Sequence, residues 1–420
     1  QRLAAGDWRS PEQLQEAIAA EQAYIGSLSA GRAIQLAGGP PRASAGGRLQ
    51  VRSGLDDLAD AVDYLFGVQG APTPEPGLRR ADMVYMALTG DHEWRGVYHP
   101  ERVRLAGADT AALAGLAANA MNKVVAQTLA SLTHYRWYEA VVKVTANDGS
   151  LHDMQWISVG GLSNLPLVPE GAAYDELSLD DAQETDAWAT YGGYVGITRK
   201  MLKNSDIQRI QAVPRALAAA AVKTRSAKIA ALFTANGGIG PTLDQDAAAL
   251  FHASHNNLQT TALGSDLTAW RTAAVECFKQ TEINSGDRIG VMPKYLLVPI
   301  DLYHQALVNF GYGEGMPTTY LPEALAALPL GDPRPVPLAV PDWSDANDWA
   351  YIADPAVWPV IHMSFSQEPA GRGFPAPEIF AATAETGGLL FASDTLPIKV
   401  RDEFVYGVSG YRGIGKRNVA

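Results

Sequence analysis

The chain has little cysteine and no long apolar run. Cys277 is the single cysteine among 420 residues, so no intramolecular disulfide can form, and its apolar surroundings predict a buried structural thiol. No apolar run approaches the roughly 20 residues that a bilayer-spanning helix needs, and no signal-peptide pattern opens the chain. We therefore expect a soluble protein made inside a cell. The opening Gln1 predicts that preceding residues were removed.

Positive charge is also in short supply. The chain has 33 lysines and arginines against 45 aspartates and glutamates, which gives a formal net charge of −12. A dedicated nucleic-acid binder needs a basic face, so this balance argues against one, although a protein that encloses nucleic acid remains compatible with it. With 47% apolar and 19% charged residues the chain can bury real cores, and its length allows two or three domains.

Sequence signatures of catalysis are missing as well. The chain has no GxSxG nucleophile elbow. Two glycine-rich stretches, at 311–315 and 407–415, lack the Lys-Ser/Thr pair of a phosphate-binding loop. We predict that both stretches are flexible turns, and we expect neither a cofactor nor a metal.

The eight histidines include one tight pair, His252 and His255, in the segment FHASHNN. The asparagines and serine around them favour a loop with local hydrogen bonds. No familiar zinc ligand set is completed nearby. An alternative hypothesis is a metal-assisted hydrolase that uses these histidines with Asp244 or Asp246.

Apolar periodicity predicts helices and strands in blocks, without the regular alternation of a doubly wound sheet, and therefore an α+β fold. Since proline is disfavoured inside a helix, we expect a short turn at 206–212 and a new helix from Pro214. The predicted helices are 11–36, 55–67, 108–132, 214–235, 267–282 and 301–310. The predicted strands are 138–146, 190–198, 294–300, 349–353, 358–365 and 398–408.

The segment 147–192 is acidic throughout and contains no lysine or arginine. Predicted strands flank it on both sides, which indicates a long projecting hairpin. An extended chain rises about 3.3 Å per residue, so such a hairpin can reach well beyond its own base. Its nine carboxylates are candidate inter-subunit contacts: Asp148, Asp153, Glu170, Asp175, Glu176, Asp180, Asp181, Glu184 and Asp186.

A basic block follows at once, with eight bases and one acid between residues 199 and 228. Opposite charge blocks can steer two subunits into register, so we expect the hairpin of one copy to lie across this block of the next. The alternative is that both blocks are solvated faces. The candidate contacts are Arg199, Lys200, Lys203, Arg209, Arg215, Lys223, Arg225 and Lys228.

Four collinear segments carry a family resemblance. The first runs from GLSNLPLVPEGAAYDELSL to YGGYVGITRKMLKNSDIQRIQAVPRALAAAAVKTRSAKIAALF. It is followed by RIGVMPKYLLVPIDLYHQAL, then WAYIADPAVWPVIHMSF, then IKVRDEFVYGVSGYRGIGKRN. Together they resemble the major capsid proteins of tailed bacteriophages with the Hong Kong 97 fold, especially the subfamily often fused to a prohead protease. The resemblance covers roughly residues 80–420.

The resemblance implies a division of the chain into an arm, a loop and two domains. The segments are an N-terminal arm with short helices at 1–106, a first part of the peripheral domain at 107–146, the extended loop at 147–192, the rest of the peripheral domain at 193–290 with the spine helix at 214–235, an axial domain at 291–390 and a C-terminal strand segment at 391–420.

It also implies a function: a structural protein that assembles with itself into hexamers and pentamers of an icosahedral shell around double-stranded DNA. Expected partners are the portal, scaffold and protease, and a decoration protein, but no membrane. The expected location is the virion, after assembly in the host cytoplasm. Some family members crosslink a loop lysine to a neighbouring asparagine. This loop has no lysine, so we expect a non-covalent shell. A scaffolding or decoration protein is a further alternative.

Overall fold

A computed structural model describes most of the chain from residue 54 onward. The predicted helix 11–36 and most of the predicted arm lie outside the described residues. The described ranges are 54–75, 78–80, 83–84, 86–87, 110–161, 167–168, 177, 180–198, 200, 207–265, 267–283, 285–311, 334–368, 370–381 and 395–419.

Helices and strands occur in blocks along these ranges. The helices are α1 Gly54–Phe66, α2 Thr110–Ser131, α3 Ile207–Gly238, α4 Thr268–Lys279 and α5 Ile300–Asn309, with 3-10 segments at Thr133–Ala140 and Ala253–His255. The strands are β1 Val142–Val144, β2 Met154–Val159, β3 Asp181–Asp186, β4 Ala189–Thr198, β5 Leu258–Gln259, β6 Pro293–Val298, β7 Val336–Ala339, β8 Trp349–Ala353, β9 Ile361–Phe365, β10 Glu378–Ala381, β11 Thr395–Val408 and β12 Ile414–Arg417. Within the described ranges, no helix is long and apolar enough to cross a membrane.

The chain divides into two compact units. The smaller unit has a core in which Ala61 and Leu65 of α1 pack with Val84 and with Ala120 of α2. Nearby, the Lys123 ammonium pairs with the Asp63 carboxylate at 2.6 Å. Helix α1 is amphipathic and only 13 residues long. It needs a packing partner such as α2, because short isolated helices are marginal in water.

The described residues form three sheets, and most of their strands lie in the larger unit. One has the order β1-β9-β11-β10 with β4 also paired to β11, the second has the order β5-β12-β8-β6-β7, and β2 and β3 form a separate two-stranded ribbon. In the second sheet, both faces are buried. Leu297 and Ile352 point into the core shared with α3, whereas Leu296 and Tyr351 point towards α4 and α5. The period-2 alternation of a strand produces this division.

The C-terminal part of α3 is the helical layer of the main core. Ile229 and Phe233 are fully buried there, and the Phe233 ring stacks on Phe251 with centroids 5.7 Å apart. On another face of the helix, Arg225 is 2% exposed. Its Nε and Nη2 donate to the two carboxylate oxygens of Asp402 in β11, each at 2.6 Å.

The Arg225 guanidinium makes two further contacts. Its Nη1 donates to the carbonyl of Pro375 at 2.8 Å, and its Cζ lies 4.6 Å from the centroid of the Phe365 ring. Burial raises the pKa of the neighbouring Tyr138 to about 12. A guanidinium with its donors used in this way is the kind of ion that a protein interior tolerates.

The structure corrects three sequence predictions. The predicted turn at 206–212 is wrong, because α3 begins at Ile207 and continues through Pro214, which is buried in its third turn. The strand predicted at 138–146 is shortened to Val142–Val144, after a 3-10 segment. The glycine-rich stretch 407–415 is not a flexible turn throughout, since it contains the end of β11 and the start of β12.

We expect Arg225→Met to destabilise the unassembled chain by about 3–5 kcal/mol, because it leaves the Asp402 carboxylate buried without a partner. Urea unfolding followed by circular dichroism measures the loss. The double variant Arg225→Met, Asp402→Leu should recover much of it.

The matched control is Arg401→Gln, which removes a partly exposed arginine that pairs with Glu378 in the same sheet. This change should cost far less than the loss of Arg225. Equal losses for the two single variants would contradict the assignment.

Candidate assembly interface

The ribbon of β2 and β3 is the described base of the predicted hairpin. Its antiparallel register places Trp156 opposite Glu184 and Ile157 opposite Gln183. Trp156 and Glu184 are 2% and 5% exposed, whereas Ile157 and Val159 are 55% and 60% exposed. The ribbon therefore has an inner face that packs on its own subunit and an outer face open to solvent.

Trp156 is the apolar anchor of the inner face. Its ring stacks on the His362 imidazole with centroids 5.1 Å apart and planes 20° apart. Its Nε1–H donates to Asp186 Oδ2 at 2.8 Å. Gly407 of β11 makes this approach possible, because a Cβ at that position would clash with both the Asp186 carboxylate and the Trp156 indole nitrogen.

Glu184 is the polar anchor. Its carboxylate accepts the backbone N–H of Asp244 at 2.6 Å and that of Gln245 at 3.1 Å. In return, Asp244 Oδ2 accepts the Thr185 N–H at 3.3 Å. Burial raises the pKa of Glu184, and the charges of Asp244 and Asp186 act in the same direction. The ribbon is thus tied to its own subunit by both strands.

These contacts correct part of the predicted set of acidic inter-subunit contacts. Glu184 and Asp186 have partners inside their own chain, because the strand period turns them to the inner face. Asp148 accepts hydrogen bonds from the Ser150 hydroxyl and N–H in a local turn, and these bonds lower its pKa.

Three acids remain exposed and have no ion pair with any residue that the structure describes. They are Asp153, Asp180 and Asp181. The other three predicted acids lie outside the described residues: Glu170, Asp175 and Glu176.

The basic block likewise contains one residue that is bonded inside its own chain and others that are exposed. Arg225 was predicted to contact a neighbour, but its bond to Asp402 buries it, and this prediction is wrong. Lys223 and Lys228 lie over the rings of Tyr135 and Tyr191, each with Nζ 5.2 Å from the centroid.

Among side chains that the structure describes, no carboxylate forms an ion pair with either lysine. Lys200 and Arg215 are exposed. The side chain of Arg209, and the whole of Arg199 and Lys203, lie outside the description.

The histidine pair has a structural role. His252 Nδ1 accepts from the Ser254 N–H and begins the 3-10 segment. His255 is buried, with Nε2 2.7 Å from Asp246 Oδ2 and its ring stacked on Tyr411 at 3.8 Å. Both ring nitrogens of His255 have protein partners. In the part of the chain that the structure covers, no three His, Cys, Asp or Glu side chains are grouped to hold a metal ion.

We expect Gly407→Ala to displace the ribbon and to destabilise the larger unit by about 1–3 kcal/mol, because the added methyl group overlaps Asp186 and Trp156. Urea unfolding and the near-UV circular dichroism of the tryptophans measure the effect. Gly193→Ala is the matched control, since a Cβ at Gly193 meets no atom within 4 Å. Similar behaviour of the two variants would show that the ribbon does not dock on β11.

Comparisons with known proteins identify the family. Residues 183–416, more than half of the chain, match the family model described as phage capsid protein. No curated protein matches the chain.

Similar solved structures include one from Mycobacterium phage Adephagia, with 12% identity and a TM-score of 0.43, covering 66% of this chain and 88% of that one. The head structure of Helicobacter pylori bacteriophage KHP40 has 10% identity and a TM-score of 0.43, covering 66% and 89%. The capsid of Ralstonia phage GP4 has 11% identity and a TM-score of 0.40, covering 65% and 86%.

The family match confirms a phage capsid protein, and the mixed helix-and-sheet architecture is α+β and fits the Hong Kong 97-type capsid fold predicted from the sequence. They also confirm the predicted structural role, and with it the expectation that the protein is not an enzyme. The chain belongs to the phage capsid protein family and is a structural protein of the virion capsid.

Proposed function

We propose that copies of this protein form the shell through contacts in which the hairpin of one subunit crosses α3 of the next. The closed product is an icosahedral shell of hexamers and pentamers around double-stranded DNA. A single observation carries the contact. The acids of the outer ribbon and the lysines Lys223 and Lys228 of α3 have opposite charge, and neither group forms an ion pair within the described part of the chain.

The acidic partner is the outer ribbon. Asp181 lies on the exposed face of β3, Asp153 precedes β2, and Asp180 lies where the ribbon continues into the rest of the hairpin. Ile157 and Val159 add an exposed apolar pair to the same strands. A face that combines carboxylates with branched apolar side chains is suited to a protein partner, since it supplies both charge and burial.

The basic partner is the solvent-facing side of α3. Lys223, Ala216, Ala220 and Ala227 are exposed on it. Alanine side chains allow another backbone to approach closely, and the lysine marks the position with charge. One exposed ion pair contributes only about 0.2–1 kcal/mol, but the same pair recurs at every copy of the contact in a closed shell.

The remaining assignments are proposals that rest on the resemblance. They include the boundaries of the arm, extended loop, peripheral domain and axial domain given above, and the relation to protease-fused capsid proteins. They also include the portal, scaffold, protease and decoration partners and assembly in the host cytoplasm. A scaffolding or decoration role is disfavoured because the chain contains both a long helix and a long hairpin and matches the phage capsid protein family model.

The proposed DNA contact is non-specific. With a net charge of −12, the protein lacks the overall basic character that dense phosphate contacts require. We expect a shell of this net charge to hold packaged DNA loosely, which favours its release.

We expect charge reversal at Asp181 (Asp181→Lys) or at Lys223 (Lys223→Glu) to weaken assembly, by roughly two- to fivefold in association constant per contact at low salt. The double reversal should restore part of the loss, because the pair is rebuilt with opposite sign. Light scattering and electron micrographs of particles give the readout at several ionic strengths.

The control is Lys399→Glu, a reversal at an exposed lysine of β11. It should leave the association constant near that of the parent chain. Additive losses in the double reversal, or assembly that does not respond to salt, would count against this contact.

Assembled particles boiled in detergent should give a single monomer band on a denaturing gel. No lysine is present between residues 147 and 192 to form an isopeptide bond to a neighbour. A ladder of oligomers would overturn the expectation of a non-covalent shell.

A further inference from the structure

The two anchors of the ribbon lie directly opposite each other. Trp156 on β2 and Glu184 on β3 are cross-strand partners in the register, and both point to the inner face. One is an aromatic ring over an imidazole and the other is a carboxylate on two backbone N–H groups. These two chemistries respond differently to protons.

On the Trp156 side of the ribbon, protonation of His362 is unfavourable. The His362 ring lies under Trp156, and its Nδ1 is 3.0 Å from Thr145 Oγ1. Lys143 of β1 is paired with His362 in the sheet register, so protonation would place a second cation beside it. Burial lowers the pKa of His362 from 6.5 to about 4, and Lys143 acts in the same direction.

The sign of the effect follows from linkage. We call the state in which Trp156 is stacked on His362 the closed seat. When the Trp156 ring separates from His362 and the imidazole becomes solvated, the pKa of His362 returns to near 6.5. The imidazole then binds a proton more readily than in the closed seat. The closed seat is therefore fully stable above pH 6.5 and weakens as the pH falls from 6.5 towards 4.

On the Glu184 side of the ribbon, the folded state favours protonation of the carboxyl groups more than the unfolded chain does. Glu184, Asp186 and Asp244 lie near one another, and none of them forms an ion pair with any residue in the described ranges. Burial raises the pKa of Glu184 and of Asp186, and the Asp244 charge raises both further. A raised carboxyl pKa means that folding gains from protonation, so mild acid does not weaken this anchor.

Among the residues that the structure describes, two other titratable groups lie close to this region. Asp186 accepts the Trp156 indole N–H, and burial raises the pKa of Tyr406 on β11, with the Asp186 charge acting in the same direction. Tyr406 therefore stays neutral across the acidic range. His362 is the group whose protonation opposes the closed seat in this range.

We propose that the root of the hairpin is a proton-operated hinge, in which mild acid frees Trp156 from His362 while Glu184 keeps β3 attached. The ribbon then rotates about β3 and changes the direction of the hairpin without releasing it. The link to shell geometry rests on the proposed function. The hinge itself belongs to a single chain and is tested without assembly.

The test uses the full unassembled chain labelled with ¹⁵N-tryptophan. Hydrogen exchange of the Trp156 indole N–H reports seat opening, and Trp156→Phe assigns its signal. After correction for intrinsic exchange, protection should fall roughly tenfold between pH 7.5 and 5.5, given the change in His362 pKa between the open and closed seat. The indole of Trp137, which donates to Ser226 at 2.9 Å, is the control within the same spectrum and should keep its protection.

Two variants separate the hinge from general acid unfolding. His362→Gln should reduce the change at Trp156 to less than about twofold, because no imidazole remains to take the proton. If this variant does not fold, Lys143→Gln at an exposed position should diminish the fall by relieving the repulsion.

The hinge is overturned if protection of the Trp156 indole does not change with pH. It is also overturned if protection falls as much in both His362→Gln and Lys143→Gln as in the parent chain. A parallel loss at Trp137 has the same consequence. None of these results bears on whether α3 of a neighbour binds the hairpin, which the charge-reversal assembly assay decides.

Discussion

The buried ion pair between Arg225 and Asp402 is the constraint on which the larger unit depends. It joins the middle of α3 to β11, and the Arg225 side chain also bonds the Pro375 carbonyl. At the C-terminal part of the same helix, Lys416 of β12 donates to the Phe233 carbonyl at 3.0 Å and pairs with Asp348 at 2.6 Å. One helix is thereby fixed to both five-stranded sheets by cations that are themselves paired. Because an unpaired buried charge is so costly, each pair permits essentially one position of the helix against its sheet.

This rigid body explains how the ribbon is positioned. β9 supplies His362, β11 supplies the gap at Gly407, and the 244–245 turn supplies two N–H groups. All three belong to segments fixed by the main core. The base of the hairpin is therefore held firmly on its own subunit, while Asp153, Asp180 and Asp181 stay exposed. Three of the six described acids of the predicted set, Asp148, Glu184 and Asp186, bond within their own chain, and counting charges along the sequence does not reveal this.

The sequence predicted the elements that have strong local patterns. Helices α1, α2 and α5 and strand β8 lie where apolar periodicity placed them, because the burial that stabilises them follows the helix or strand period. The sequence prediction failed at Pro214, where the helix continues through a buried residue that local propensity disfavours. It also missed β12, since the buried Lys416 and Arg417 look like surface residues until their partners Asp348 and Glu276 are brought near by the fold.

The predicted contact residues show the same limit. Acidic and basic blocks were visible in sequence, but the sorting of Glu184 and Arg225 into the interior required long-range partners, at Asp244 and Asp402. Nothing within a few residues of either one signals this. The Trp156 seat escaped notice because the decisive signal is a glycine, Gly407, that lies far along the chain in a stretch interpreted as a turn.

The aromatic support under the two lysines of α3 has an energetic consequence. In the single subunit, Lys223 and Lys228 each already lie over a tyrosine ring. A free lysine loses as much as about 2 kcal/mol of rotamer entropy when it is immobilised, and part of that loss has already occurred in the isolated subunit. The ammonium groups are thus preorganised, and in the proposed contact with a carboxylate fewer degrees of freedom become ordered than is usual for surface lysines.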